Sequence, residues 1–238
     1  MKSWKEEQVV QAFMDVRPGI PYGADQMKIM VQLVAELHDK PASILDLGCG
    51  DGITGEVLLQ LYPEASGDFI DQSEPMLAKA EERLAAYPSI RIIQADLETE
   101  KLSDITNRTY DCIVSSYALH HLTHPRKRSI YEEIYQALNP GGVFLNVEHV
   151  ASRSERMEAI WDRTLVNHIY EHRRTVEPAV TERDVWNAYI NRADRFDNIL
   201  APAEDQCNWL RECGFADVDI YFKYFELAVF GGRKNGVR

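Results

Sequence analysis

The chain predicts an α/β fold built on a mostly parallel sheet. Short apolar runs alternate with helical stretches between residues 42 and 150. Strands and helices alternating at that spacing imply βαβ units, whose strands run parallel. The tail instead offers two runs, Val218–Phe222 and Leu227–Phe230, close enough for an antiparallel hairpin at the sheet edge. A helix-rich stretch at 151–200 interrupts the rhythm between them.

The elements follow in order. Residues 1–40 read as a helical cover: Met27, Met30, Val31, Val34 and Leu37 recur near a 3.6-residue period, after a turn-rich break at Arg17–Gly23. Ser43–Leu47 is the first strand, closed by glycines, with a helix from about Thr54 to Leu61. Gly67–Ile70 is the second strand. Ser73-Glu-Pro-Met opens the next helix, with Pro75 in the first turn where its missing N–H costs nothing. Ile90–Ala95 and Asp111–Ser115 are further strands. Arg128–Leu138 is a helix stopped by Asn139-Pro-Gly-Gly142, and Val143–Val147 follows as a strand. Pro202 and Gly214 bracket a last helix. The 238 residues thus divide into 1–40, a core at 42–150, an insertion at 151–200, and a C-terminal helix and hairpin at 201–238, all one domain.

Composition narrows the classes. A net charge of -12 without a Lys/Arg run disfavours nucleic acid and favours a small-molecule ligand. No apolar run approaches the roughly 20 residues of a membrane span, and the first residues lack a signal-peptide core, so a cytoplasmic protein is expected. Cys49, Cys112, Cys207 and Cys213 form no CxxC pair, and the two that sit inside apolar stretches read as small buried hydrophobes.

The central motif is Ile44-Leu-Asp-Leu-Gly48-Cys-Gly50-Asp-Gly52. Glycines between a strand and a helix let a ligand approach the backbone. Gly50, Gly52 and Gly55 also satisfy GxGxxG, the dinucleotide pattern, so a nicotinamide oxidoreductase is a rival. Asp46 speaks against it, because a carboxylate there repels a pyrophosphate and attracts a ligand carrying ammonium and sulfonium charges.

This stretch resembles the first motif of the class I S-adenosylmethionine-dependent methyltransferases. Phe69-Ile-Asp71-Gln72-Ser73-Glu-Pro-Met76-Leu77 is similar to that family's second motif, Gln94-Ala-Asp96-Leu97 to its third, and Tyr110–Leu122 to its fourth. Leu138-Asn-Pro-Gly-Gly142 is similar to its turn before strand five. The resemblance implies a Rossmann-like, seven-stranded sheet with a helical lid. It implies S-adenosylmethionine held by Asp46, Gly48, Cys49, Gly50, Asp71, Gln72, Met76, Asp96, Leu97 and Ser115. Asp71, 23 residues past Gly48, suits the ribose diol, and Asp68 is the rival acid. Asp96 would meet the adenine amino group.

Methyl transfer needs alignment and water exclusion, and only sometimes a base. His120, His121, Glu148 and His149 follow the fourth and fifth strands and are the candidate catalytic groups, with Tyr117 beside them as a candidate substrate contact. The insertion holds eight arginines and no lysine, which suits an anionic acceptor, and its nine acids suit ordinary pairing on solvated faces. It is also the candidate surface for a homodimer. His168-Ile-Tyr-Glu171-His172 fits the HxxEH zinc pattern, but in the wrong architecture, so no metal is expected.

Phe196-Asp-Asn-Ile-Leu, the helix after Pro202 and the hairpin are similar to the carboxy-S-adenosylmethionine synthases, which share the fold and hold a carboxylated cofactor by arginine. That resemblance points to Arg192 and Arg195. Ile20-Pro21-Tyr22-Gly23 is similar to an N-terminal element there in a different order, which makes Tyr22 a cofactor candidate. The expected function is methyl transfer to a small molecule. A carboxy-S-adenosylmethionine synthase and a non-catalytic binding partner are the alternatives.

Overall fold

A computed structural model describes residues 3–236. The chain opens with α1 (Glu7–Val16) and α2 (Gly23–Leu37), then β1 (Ser43–Leu47), α3 (Ile53–Leu61), β2 (Ser66–Asp71), α4 (Glu74–Leu84) and β3 (Ile90–Gln94). It continues with α5 (Leu102–Ile105), β4 (Tyr110–Ser116), α6 (His124–Ala137) and β5 (Leu138–His149). The helices α7 (Glu155–Val176) and α8 (Glu182–Asn191) precede α9 (Ala203–Glu212), β6 (Ala216–Tyr224) and β7 (Leu227–Arg233).

Seven strands form one sheet in the order β3-β2-β1-β4-β5-β7-β6. The first five pair in parallel, and β7 runs antiparallel between β5 and β6. Chain order reverses between β1 and β4, so the crevice beyond their carboxyl ends is the natural ligand site.

Both sheet faces are buried, which explains the unbroken apolar runs in the parallel strands. Successive residues go to opposite faces. Leu45, Ile113 and Phe144 join the core under α6 and α9, while Ile44, Val114 and Leu145 join the one under α2 and α3. A third cluster around Trp161, Val166 and Tyr189 packs α7 and α8 onto Leu227 at the hairpin.

Helix starts follow local chemistry. Ser73 accepts from Met76 N at 3.4 Å with Pro75 just inside α4. The sixth helix starts at His124 rather than near Arg128, because Thr123 accepts from Arg126 N and Pro125 fits the first turn. A reciprocal Thr181–Asp184 box starts α8. No helix among the described residues is long and apolar enough to cross a membrane.

Asp68, the rival acid, is spent on the frame. It is fully buried inside β2, where it accepts from Arg91, Arg108, Thr106 and Tyr110. Burial alone would raise its carboxyl, but these donors hold it below the ordinary value.

Candidate functional site

The glycine loop lies across the end of β2. Gly48 N and Cys49 N both donate to Ile70 O, at 2.8 and 2.9 Å. Gly48 has φ +70°, and a Cβ there would stand 2.1 Å from that of Ala118, so only glycine fits. Asp71 fixes the loop from the other side. Its Oδ2 accepts from Gly50 N at 2.9 Å and its Oδ1 from Ser73 N at 2.8 Å. Each oxygen keeps a second lone pair for a ribose hydroxyl.

A cavity of about 100 Å³ opens over this loop. Gly48, Cys49, Gly50, Asp71, Gln72, Met76 and Leu97 line it, as does Tyr117. Asp46, Asp96, Ser115 and Tyr22 do not. Ser115 is fully buried and donates to Leu47 O, leaving Ser116 on the wall. Asp96 accepts from Glu98 N in a tight turn, with Ala95 and Leu97 at the cavity on either side. Tyr22 is half exposed and packs on Phe222 and Tyr224.

Asp46 lies beneath the loop, fully buried, with neither carboxylate oxygen hydrogen-bonded. Burial, with Asp71 adding repulsion, pushes its pKa up to about 8. An uncompensated buried carboxylate is costly unless a cation arrives. S-adenosylmethionine brings two positive charges, so the residues present fit it.

The N-terminal segment supplies walls with no strand-end motif to reveal them. Trp4, Phe13 and Arg17 line the same cavity. Arg17 Nη1 reaches Asp51 Oδ1 in the glycine loop at 2.8 Å, and Arg83 Nη2 takes Asp51 Oδ2 at 2.9 Å. Ser73 Oγ donates to Trp4 O at 2.6 Å, and the Trp4 ring meets His121 edge-on.

A second cavity, of about 480 Å³, shares Trp4, Phe13 and Tyr117 with the first. Tyr117 sits at the junction with φ +52°, a left-handed conformation that costs a non-glycine residue on the order of 1 kcal/mol. Tyr117 N donates to Val147 O and its hydroxyl to Gln26 Oε1, both contacts holding it there.

His120 and His149 line the second cavity, and His121 the first. Glu148 is fully buried behind His120, whose Nδ1 lies 2.6 Å from Oε1. Glu148 also accepts from His149 N and Asn146 Nδ2, so three donors converge on it. Burial raises Glu148 to about 7, opposed by Lys127, while burial and then His149 push His120 well below the usual imidazole range. The His120 ring is thus neutral; where Glu148 is ionised, the ring donates Nδ1–H to it and keeps Nε2 as an acceptor. His149 Nε2 similarly meets the buried Glu226 at 2.9 Å. Glu226 belongs to the hairpin turn, 77 residues from its partner, and no motif announces it.

Lys127 locks this corner. It is fully buried, and its Nζ donates to the carbonyls of His120, Leu122 and Ile199. Burial lowers its pKa to about 8.

The two candidate arginines divide. Arg192 lines the second cavity, with Nε 3.1 Å from Asp194 and its guanidinium over the Tyr189 ring. Arg195 is absent from the wall and pairs with Asp162 at 3.0 Å. Among the described residues, no group of three or more His, Cys, Asp or Glu is arranged to hold a metal ion.

A family model for a methyltransferase domain matches residues 44–142. The chain is 26% identical to the carboxy-S-adenosyl-L-methionine synthase of Wolinella succinogenes, over 97% of this chain and 92% of that one. It is 32% identical to the malonyl-[acyl-carrier protein] O-methyltransferase of Halalkalibacterium halodurans, over 49% of this chain and 44% of the other. The N-methyltransferase NodS of Bradyrhizobium japonicum, solved with S-adenosyl-L-homocysteine, superposes with a TM-score of 0.60. That match has 16% identity and covers 90% of this chain and 88% of NodS, and so speaks for the fold.

Proposed function

We propose that this chain, a class I S-adenosylmethionine-dependent methyltransferase by its domain and fold, methylates a small molecule held in the second cavity. One observation carries the reading. Two cavities meet at Tyr117, one floored by the glycine loop and Asp71, the other lined by His120 and His149, each backed by a buried glutamate.

The bound cofactor supplies a methyl carbon already activated by sulfonium. The chain's own residues do the rest. Asp46, protonated in the free protein at neutral pH, becomes the counter-charge beneath the loop when a cationic cofactor binds, and Asp71 is set to accept from the ribose. Trp4, Phe13 and Tyr117 form the wall that the two cavities share at the junction. His149 and His120, each with its donor side committed to a carboxylate, offer a lone pair for an acceptor proton.

Calorimetry with S-adenosylhomocysteine tests the cofactor half. Binding that Asp71→Ala weakens is the expected result, and no binding at high micromolar concentration overturns it.

A second reading has its own support. The likeness to carboxy-S-adenosyl-L-methionine synthases runs through nearly the whole chain, and Arg192 lies in the second cavity. It predicts a co-purified cofactor one carboxyl group heavier than S-adenosylmethionine. Mass spectrometry of the ligand released by denaturation decides between the two.

A further inference from the structure

The second cavity carries a charge balance of its own. Among the described residues, Arg173 and Arg192 are the only arginines or lysines on its wall, beside His172 and against the carboxylates of Asp15, Glu177 and Asp194. Each arginine is already answered from its own segment, Arg192 by Asp194 and Arg173 by Glu177. Behind the two histidines lie Glu226 and Glu148, the latter offset by the buried Lys127. Among the described residues lining the cavity, an entering carboxylate or phosphate would find both arginines already ion-paired and three carboxylates of like charge, which is repulsive in a low-dielectric pocket.

The hydrogen-bonding polarity agrees. His120 Nδ1 lies against Glu148 and His149 Nε2 against Glu226, which leaves His120 Nε2 and His149 Nδ1 as the ring nitrogens not engaged by a carboxyl group; unprotonated, each is an acceptor. Acceptors pair with an O–H or N–H, and oppose an anionic oxygen. The remaining surface is largely apolar, with Phe13, Val16, Leu165, Ile169 and Leu227 prominent in it, and its two indoles, Trp4 and Trp161, carry N–H groups without a partner. Its volume of about 480 Å³ falls within the range of small-molecule sites.

We infer that the second cavity selects an uncharged, predominantly apolar acceptor whose single reactive polar group is a hydroxyl or ring N–H set against His120 and His149. The inference rests on the reading of this cavity as the acceptor site, and narrows it against the anionic acceptor that the arginine-rich insertion suggests.

A matched probe pair tests it. Protein saturated with S-adenosylhomocysteine is titrated at neutral pH with 2-naphthol and with 2-naphthoate, which share a ring system and differ in charge. The naphthol is expected to bind at least about tenfold more tightly. Leu165→Trp fills the cavity and Ala188→Phe narrows it from α8. Either should abolish naphthol binding while S-adenosylhomocysteine affinity stays unchanged. Equal or tighter binding of the naphthoate that both variants remove would overturn the charge selection alone. Naphthol binding insensitive to both variants, or no binding of either probe, would overturn the acceptor-site assignment as well. Loss of S-adenosylhomocysteine binding by the parent protein would sink the methyltransferase reading separately.

Discussion

At Asp46 the electrostatics of a single side chain set opposite demands on the empty and loaded protein. Its folded pKa, about 8, lies above the ordinary carboxylate value. The folded chain therefore holds this proton more tightly than the unfolded chain does. Stability from this group is complete below the unfolded value and declines as pH rises toward 8. Asp46→Asn should accordingly stabilise the free protein at neutral pH by on the order of 1–3 kcal/mol, read as a higher urea midpoint. The same change should weaken S-adenosylmethionine binding. Calorimetry in buffers of different ionisation enthalpy adds a finer check. Binding to the parent near pH 7 should release a proton, and binding to Asp46→Asn should not. The histidines make a separate prediction at this scale. His149→Gln or Glu226→Gln should lower S-adenosylhomocysteine release with an acceptor by roughly 10²–10⁴-fold, leaving cofactor affinity intact. A fall in cofactor affinity instead would make the pair a structural prop.

Elements show what a linear reading captures. The β1 and β2 loops were legible because their chemistry is local: glycines, an acid at each strand end, a cap and a proline within a few residues. The strand hydrophobicity was legible because both faces of a parallel sheet are buried. The contributions of Trp4, Phe13, Arg17 and Glu226 were not, since each depends on contacts across dozens of residues. The arginines of the insertion show the same limit of a linear reading. Composition records Arg192 and Arg195, while only the fold reveals that Asp194 and Asp162 already hold them. Packing between α3 and β2 offers a test. A Cβ on Gly55 would stand 1.8 Å from the buried Phe69 ring. Alanine gains about 1 kcal/mol of helix propensity over glycine. Overpacking a buried ring costs typically 1–3 kcal/mol, more where the ring cannot move. Gly55→Ala should therefore lower the urea midpoint; a rise would mean that Phe69 swings aside.

Taken whole, the molecule is a rigid sheet with a binding crevice closed by segments far apart in sequence. The sheet is anchored from within by Asp68 and its four donors, away from the crevice. The crevice is closed by α1, the segment around Arg17, α7 and α8. A ligand bridging such parts stabilises the folded chain by mass action. At a hundred times its dissociation constant, S-adenosylhomocysteine should add roughly 2.7 kcal/mol. For a chain of this size that is a rise in melting temperature of about 5–10 °C. Calorimetric scans with and without ligand check it, and an unchanged midpoint at saturation would contradict the crevice as the binding site.

The wall common to both cavities also gives the protein an optical channel. Of the tryptophans, Trp4 borders both cavities, Trp161 borders only the second, and Trp186 and Trp209 border neither. Emission lost in a Trp4→Phe variant therefore isolates an indole that senses each ligand in turn. Its intensity and wavelength record the arrival of cofactor and acceptor as two separable events. The order in which the two sites fill becomes a stopped-flow measurement that needs no label.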